Sequence, residues 1–357
     1  MLRGSKRGKH DRCSELISHL ADVKALPHMP PRVSVLMTLY NKAPYVDEAV
    51  RSVLASSYSD FELLVLDDAS TDNSADRVRA FSDPRIRLIA HRENLGRARN
   101  ANRGFSESKG EYVAILDADD TMHADRLAKQ VAYMDAHPRV GACGTAAQLV
   151  GERDRVVTWP ARDEEARGLM LFEDPLLYGS AIFRRSVIVA NGLQCPEDWM
   201  GPGMDYLFLL RVAAVTEVAN LSEALTSYRI GANNLRHGRN GLADAERIVT
   251  EALRFFGLKV DPQELRSHLV LLRRLGPPKS VAEVQSLNAW VLRLLAFNRE
   301  ARVFPTGVFE SRLRAELDRI FCLLADRDPR LARKHARLSG GWTLGRLRYY
   351  LASRWRA

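Results

Sequence analysis

Asp117-Ala118-Asp119 places two carboxylates one residue apart, directly after the apolar run Tyr112–Leu116. Acids in this position at the end of a strand can approach one hard divalent cation together. Mg²⁺ and Mn²⁺ suit such a pair, because they take few protein oxygens, keep water, and complete their shells with substrate phosphates. A nucleoside diphosphate is the natural third partner. Acids after a strand also cap the next helix, and Asp120 or Thr121 can serve in that way. Tyr40, after an earlier apolar run, offers a flat face for a base, and Asp68, after another, can accept the imide hydrogen of a uracil ring. Alone, the tyrosine also suits packing, and Asp67–Asp72 also suits a turn with a helix cap.

These residues need a common edge, and the chain around them supplies one. Val33–Leu39, Phe61–Leu66, Ile86–Ala90 and Tyr112–Leu116 read as buried strands. Helical periods separate them over Tyr45–Ala55, Asp72–Phe81, Arg97–Ser108 and Asp125–Asp135. Such alternation predicts an α/β fold with a mainly parallel sheet covered by helices, whose ligands bind outside the carboxyl ends of the strands. After Asn240 the character changes to long amphipathic helices, with an Asp261-Pro262-Gln263-Glu264 start and a Ser280-Val281-Ala282-Glu283 capping box. The expected organisation is a flexible basic arm over 1–31, a catalytic domain over 32–240, a helical appendage over 241–330 and a basic amphipathic tail over 331–357.

Composition narrows the function classes. The 357 residues are 46% hydrophobic and 27% charged, a globular balance, and no apolar stretch is long enough to cross a bilayer. The formal charge of +9 is concentrated at the ends: residues 1–31 carry 6 Lys/Arg against 3 Asp/Glu, and residues 331–357 carry 7 against none. The remainder is nearly neutral, which argues against a nucleic-acid partner and suits contact of the ends with an anionic membrane surface. Cys13, Cys143, Cys195 and Cys322 show no paired spacing and read as reduced thiols. No secretory signal is legible at the N-terminus. A cytoplasmic protein, peripheral on the inner membrane face, is the expectation.

Four motifs in order carry a family resemblance: Val33-Ser34-Val35-Leu36-Met37-Thr38 with Tyr40-Asn41; Leu66-Asp67-Asp68-Ala69-Ser70-Thr71-Asp72; Glu93-Asn94-Leu95-Gly96 with Ala98-Arg99-Asn100; and Lys109-Gly110-Glu111-Tyr112 running into Leu116-Asp117-Ala118-Asp119-Asp120. Over residues 32–230 the chain resembles the family 2 glycosyltransferases, inverting enzymes with a GT-A fold. The resemblance implies a nucleotide-sugar donor site built from Thr38, Tyr40, Asn41, Asp68, Arg97, Arg99, Asp117 and Ala118. Tyr40 would stack on uracil, Asp68 would bond it, Asp117 and Asp119 would bridge ribose and Mn²⁺ or Mg²⁺, and Arg97 or Arg99 would lie near the diphosphate. It further implies that Asp205, in Gly203-Met204-Asp205-Tyr206, is the base that takes the acceptor proton, with Glu197-Asp198 as the rival pair. The acceptor would be a saccharide or a lipid-linked sugar.

The chain departs from the family pattern at three places. Met204 stands where the acidic pair usually begins. Tyr228-Arg229-Ile230 leads into Gly231 rather than His, so a third metal ligand is missing there, and His237 is a candidate substitute or a surface residue. Arg354-Trp355 lacks the Gln of the processive relatives, which predicts addition of one sugar at a time. Two other functions fit parts of the text. A sugar-1-phosphate nucleotidyltransferase would need a glycine-rich loop after the first strand, where Thr38–Ala43 has no glycine. A non-catalytic binding protein of the same fold would account for Met204 and Gly231. In the tail, aromatic and leucine residues from Trp342 to Trp355 alternate with arginines, an arrangement that suits a membrane interface, or docking on the helical appendage.

Overall fold

The structure is a computed structural model that describes residues 30–199, 201–231 and 241–355. The N-terminal arm, apart from residues 30 and 31, lies outside the described residues, as do Cys13 and His237. The first half folds as its alternation predicts: β1 (Val33–Leu39), α1 (Val46–Leu54), β2 (Phe61–Asp67), α2 (Ser74–Arg79), β3 (Ile86–Ala90), α3 (Arg97–Glu107) and β4 (Tyr112–Ile115), then the short β5 (Thr121–Met122) and α4 (Arg126–Ala136). A less regular stretch follows, with the long β6 (Val140–Gly151), β7 (Arg155–Val157), α5 (Asp163–Leu169), β8 (Ile182–Arg184), α6 (Arg185–Ala190), α7 (Met204–Val215) and the long β9 (Glu217–Ile230).

The sheet runs β3-β2-β1-β4-β8-β6-β9-β5, with β7 paired to β6. The first four strands are mutually parallel, β8 is antiparallel to both β4 and β6, and β6 and β9 are parallel. From β1 the chain steps outward to β2 and β3, then returns to place β4 on the other side of β1. The crossovers therefore diverge between β1 and β4, and the carboxyl ends of those two strands are where a sheet of this kind takes its ligand.

Period-two side-chain alternation assigns the strand residues to two cores. Val33, Val35, Met37 and Leu39 pack with Val46, Val50 and Val53 of α1 and Leu127, Val131 and Met134 of α4. Leu36, Leu64, Leu66, Val113 and Ile115 face the other way, toward Ala98, Ala101 and Phe105 of α3 and Phe208 of α7. The start of β4 is fixed by a buried hydrogen-bond cluster. Ser34 Oγ donates to Glu62 Oε1 at 2.6 Å and accepts the Lys109 and Gly110 amides at 3.0 and 2.9 Å.

The helical region comprises α8 (Gly241–Phe255), α9 (Pro262–Leu271), α10 (Val281–Ala301), α11 (Thr306–Arg327), α12 (Pro329–Leu338) and α13 (Leu344–Trp355). Asp261 and Glu264 form the expected reciprocal capping box at α9. At α10 only half of the box forms: Ser280 accepts the Glu283 amide, while the Glu283 carboxylate turns to the Lys279 amide. The region continues the second core, since Leu253, Leu269, Trp290, Phe309 and Phe321 belong to the same buried cluster as Leu36 and Phe105. Glu316, fully buried, accepts Arg273 at 2.7 Å and Arg319 at 2.6 Å. Burial raises its pKa, and the hydrogen bonds from the two arginines more than offset this. The expected tail divides in two. Its first part belongs to α12, whose Leu331, Ala332, His335 and Ala336 are buried; its second is α13, with Arg346 buried against Asp318 at 2.6 Å.

Two imidazoles inside this region make its stability depend on pH. His268 Nδ1 accepts Trp290 Nε1–H at 3.2 Å, so Nε2 carries the proton and donates to the Leu171 carbonyl at 3.1 Å. His335 Nδ1 accepts from Asn288 at 3.3 Å, and Nε2 donates to the Leu317 carbonyl at 3.0 Å. Burial lowers both pKa values to about 4. An unfolded chain protonates these rings near pH ~6.5, so between about pH 6.5 and 4 it binds more protons than the folded one. Stability is therefore complete above that window and falls through it as pH drops, by ~1.4 kcal/mol per unit for each ring. The urea midpoint is expected to decline from pH 7 to 4.5, and a His268→Gln/His335→Gln variant to show a flatter profile. Parallel profiles for the two proteins would refute this.

Candidate active site

The ends of β1 and β2 are joined through Asn41, whose backbone is left-handed at φ 52°. Its Oδ1 accepts the Thr71 amide at 2.8 Å, and its own amide donates to Ser70 Oγ at 3.0 Å. Asn41 thus ties the two strand-end loops together. Tyr40 beside it is 45% exposed, too open for a packing residue and available as a stacking face. Thr38 is half-buried in β1, in register with Leu66. Asp68 is buried, and its Oδ1 and Oδ2 accept the Leu95 and Gly96 amides at 2.7 and 3.0 Å. The second and third motifs are therefore one structure, in which Asp68 fixes the turn entering α3. Each of its oxygens keeps a further lone pair for a base.

Three carboxylates leave the end of β4. Asp117 and Asp119 are half-buried, and Ala118 between them packs into the α1/α4 core. Asp120 is 2% exposed and caps no helix: Oδ1 accepts the Arg229 amide at 2.8 Å, while Oδ2 is buried without a hydrogen-bond partner. A Cβ at Gly179 would stand 3.3 Å from Asp117 Oδ2 and 3.5 Å from Asp120 Oδ2, so both oxygens face this glycine. Burial raises the pKa of both acids; Arg97 opposes the rise at Asp117, and the Asp117 charge adds to it at Asp120.

Cations surround this turn. Lys42 Nζ lies 2.5 Å from Asp119 Oδ2. Arg229 Nε donates to the Asp119 carbonyl at 3.0 Å and Nη2 to Glu48 at 2.9 Å, which latches β9 over the turn. Arg126 is wholly buried beneath it and donates to the carbonyls of Ile115 at 2.8 Å, Gly179 at 3.3 Å and Ala181 at 3.3 Å. Burial lowers its pKa to about 10, against the pull of Asp120.

Arg97 and Arg99 take different places. Protein around Arg97 lowers its pKa, and the carboxylates of Asp205 and Asp117, with Tyr178 and Tyr228, more than reverse the effect. Arg97 is therefore within electrostatic reach of both strand-end acid and expected base. Arg99 pairs with Glu197 at 3.5 Å, and Asn102 of α3 also donates to Glu197 at 3.0 Å. The rival acid is thus engaged by two α3 side chains. Asp205 sits in the first turn of α7, which begins after Gly203 at φ 94°, where a side chain would also strike Ile248. Its Oδ1 accepts the Tyr206 amide at 3.0 Å, so it also serves the helix terminus. Met204 is 2% exposed, in the core. Cys143 and Cys195 are buried free thiols, pushed up to about 12 by burial.

Sequence reasoning missed Lys42, Arg126, Gly179 and Arg229, whose partners are remote in the chain. Among the described residues no cluster of three His, Cys, Asp or Glu could by itself hold a metal. The donors present do fit a hard divalent ion: carboxylate oxygens only, one of them buried and unpartnered at Asp120. Asp119 and Asp117 would hold such an ion, with diphosphate and water completing its shell.

Residues 34–186 match the model of Glycosyl transferase family 2. The chain is 38% identical over 283 residues to the succinoglycan biosynthesis protein ExoO of Rhizobium meliloti, covering 69% of this chain and 78% of that protein. An uncharacterized glycosyltransferase of Haemophilus influenzae is 28% identical over 247 residues, covering 64% and 76%. Among solved structures, S. aureus TarS 1–349 in complex with UDP-GlcNAc has a similar fold, with a TM-score of 0.54 and 17% identity, covering 91% of each chain.

If the β4 turn holds the cation, Asp119→Ala abolishes Mn²⁺ binding measured by paramagnetic resonance in the presence of UDP, and Asp117→Ala weakens UDP binding. Wild-type Mn²⁺ affinity in the Asp119 variant would overturn the assignment.

Proposed function

The chain belongs to the family 2 glycosyltransferases, and from that footing we propose that it moves one sugar at a time, with inversion, from a UDP-sugar to a hydroxyl of a saccharide or lipid-linked acceptor in polysaccharide synthesis. The observation that carries the reading is the acidic turn at the end of β4, where Asp117 Oδ2 and the unpartnered Asp120 Oδ2 both face Gly179. Tyr40 and Asp68 would receive the uracil, and Arg97 would face the diphosphate. Asp205 would take the proton of the acceptor hydroxyl as its oxygen bonds to the anomeric carbon, on the face opposite the departing diphosphate. The C1–O bond breaks with its electron pair on the diphosphate, so a single displacement inverts the centre. Mn²⁺ or Mg²⁺ at Asp119 and Asp117 would offset the charge building on that leaving group.

The decisive assay is UDP release across a panel of nucleotide sugars with saccharide and lipid-linked acceptors, with the anomeric configuration of the product read by NMR. Asp205→Asn is expected to leave donor binding nearly unchanged and to lower turnover on the order of 10²- to 10⁴-fold. Release of UDP from no donor would favour a binding protein that keeps the fold. If Glu197→Gln shows the predicted signature while Asp205→Asn stays active, the base is the earlier acid.

A second reading concerns location. On α13, Arg346 and Ser353 are buried against the protein, while Leu344, Leu347 and Leu351 are 64%, 43% and 52% exposed on the other side. Arg348, Arg337 and Arg333 are exposed nearby. Among the described residues no helix is long and apolar enough to cross a membrane. A leucine face flanked by basic residues, on a helix that carries no acid of its own, fits the surface of an anionic bilayer, where each Lys or Arg adds about 1 kcal/mol. The protein is expected to co-sediment with anionic but not neutral liposomes, more weakly in high salt, and a Leu344→Ser/Leu347→Ser/Leu351→Ser variant to lose this binding. Equal binding by the variant would refute the membrane face.

A further inference from the structure

The carboxylate of Asp205 is held only by its own helix. Its Oδ1 accepts the Tyr206 amide at 3.0 Å, and among the described residues no side chain donates to it. Where Asp205 stands is therefore decided by how α7 is set, and the joint that sets it is Gly203, left-handed at φ 94°. That joint lies against the helical region. Ile248 of α8, half-buried, covers it: its Cγ1 and Cδ1 are 2.5 and 2.6 Å from where a β-carbon on Gly203 would stand. Beside it the Arg247 guanidinium lies 4.0 Å over the Trp199 ring, and Trp199 Nε1 donates to the Pro202 carbonyl at 2.8 Å. Ala245 and Val249 of α8 share a buried cluster with Met204 at the start of α7. The far end of the same segment is tied to α3, where Asn102 Oδ1 accepts the Cys195 amide at 2.7 Å and Nδ2 donates to the Cys195 carbonyl at 3.0 Å.

We propose that Ile248 is a positioning residue for the reaction: seated on the Gly203 joint, it fixes the angle at which α7 leaves the loop, and with it the place of Asp205. The inference rests on the nucleotide-sugar reading above, with Asp205 as base, and gives the helical region a part in the chemistry. A glycine joint is permissive in φ and ψ and has no side chain with which to fill its own corner. Ile248 supplies that filling from another element, and a β-branched side chain, stiff at χ1, suits the task. A general base must come within hydrogen-bond distance of the proton it takes, and a misplacement of about 1 Å costs on the order of 10²-fold in rate. The donor residues Tyr40, Asp68, Asp117 and Asp119 follow β1, β2 and β4, not α7. A shift of α7 therefore acts on the base and spares the donor.

Ile248→Val removes Cδ1, and Ile248→Ala removes both atoms that cover Gly203. Turnover should fall in that order, about three- to tenfold and then on the order of 10- to 10²-fold, while UDP affinity with Mn²⁺ stays within about twofold of wild type. Ile248→Leu, which restores the volume, should recover most of kcat. A merely structural isoleucine would lower the melting temperature and leave the kcat of the folded enzyme intact. The sharpest readout is a double variant. Because Ile248 acts through Asp205, Ile248→Ala should add less than about twofold to the loss that Asp205→Asn already causes. Losses that multiply in the double variant, or wild-type kcat in Ile248→Ala, would overturn the proposal. Should circular dichroism show Ile248→Ala unfolded, Ile248→Val carries the same comparison with a single methyl deleted. Full turnover by Asp205→Asn defeats the assignment of the base and the proposal with it; an impaired Asp205→Asn beside indifferent Ile248 variants defeats the positioning alone.

Discussion

Mutual repulsion among the carboxylates at the end of β4 is the constraint around which the crevice is arranged. Asp117, Asp119 and Asp120 fall within four residues, two of them with pKa values raised by burial. Such a turn persists only if surrounding groups hold it. Arg126 supports it from below through the Ile115 and Gly179 carbonyls, Arg229 latches it from β9, and Lys42 neutralises its outer acid. Arg229 and Lys42 bond to the turn itself, while Arg126 holds the strand end and the Gly179 segment beneath it. The sheet order serves this end too, because the divergence of β1 and β4 brings the Lys42 and Asp119 loops face to face.

The proposed chemistry follows from incomplete neutralisation. Arg126 is consumed by backbone carbonyls, so its charge reaches the acids only at a distance. Asp120 Oδ2 has no donor. A divalent ion accompanied by diphosphate is a pair of ligands that such a site can accept without leaving a large net charge of either sign.

The parallel half of the sheet was legible because β1, β2 and β4 are predominantly apolar runs followed by polar residues, a pattern that buried parallel strands produce. The other half was not. β6 reads Val-Gly-Ala-Cys-Gly-Thr-Ala-Ala, small residues without alternation, and its partners β8 and β9 lie far along the chain. The acids of the site were legible for a related reason, since they sit at the ends of readable strands. Their counter-charges were not: Lys42 and Asp119 are 77 residues apart, and Arg229 and Asp119 are 110. No local spacing encodes such a pair. The resemblance left Arg97 and Arg99 unresolved, and only the fold separates them: two residues apart, they lie on nearly opposite sides of α3, and Arg99 pairs with Glu197 while Arg97 feels the charges of Asp205 and Asp117. The helical region was legible as helices, but its continuity with the sheet core depends on contacts such as His268 to Leu171 that periodicity cannot report.

The account stands on the claim that the β4 turn receives a divalent ion and a nucleoside diphosphate together. Calorimetric titration of UDP into the wild-type protein, once with Mn²⁺ and once with chelator, tests it most directly. The account predicts binding at least about tenfold tighter with Mn²⁺, equivalent to ~1.4 kcal/mol of coupling. Equal affinity in chelator would contradict it, because the acidic turn would then bind the diphosphate without the cation that its charge demands.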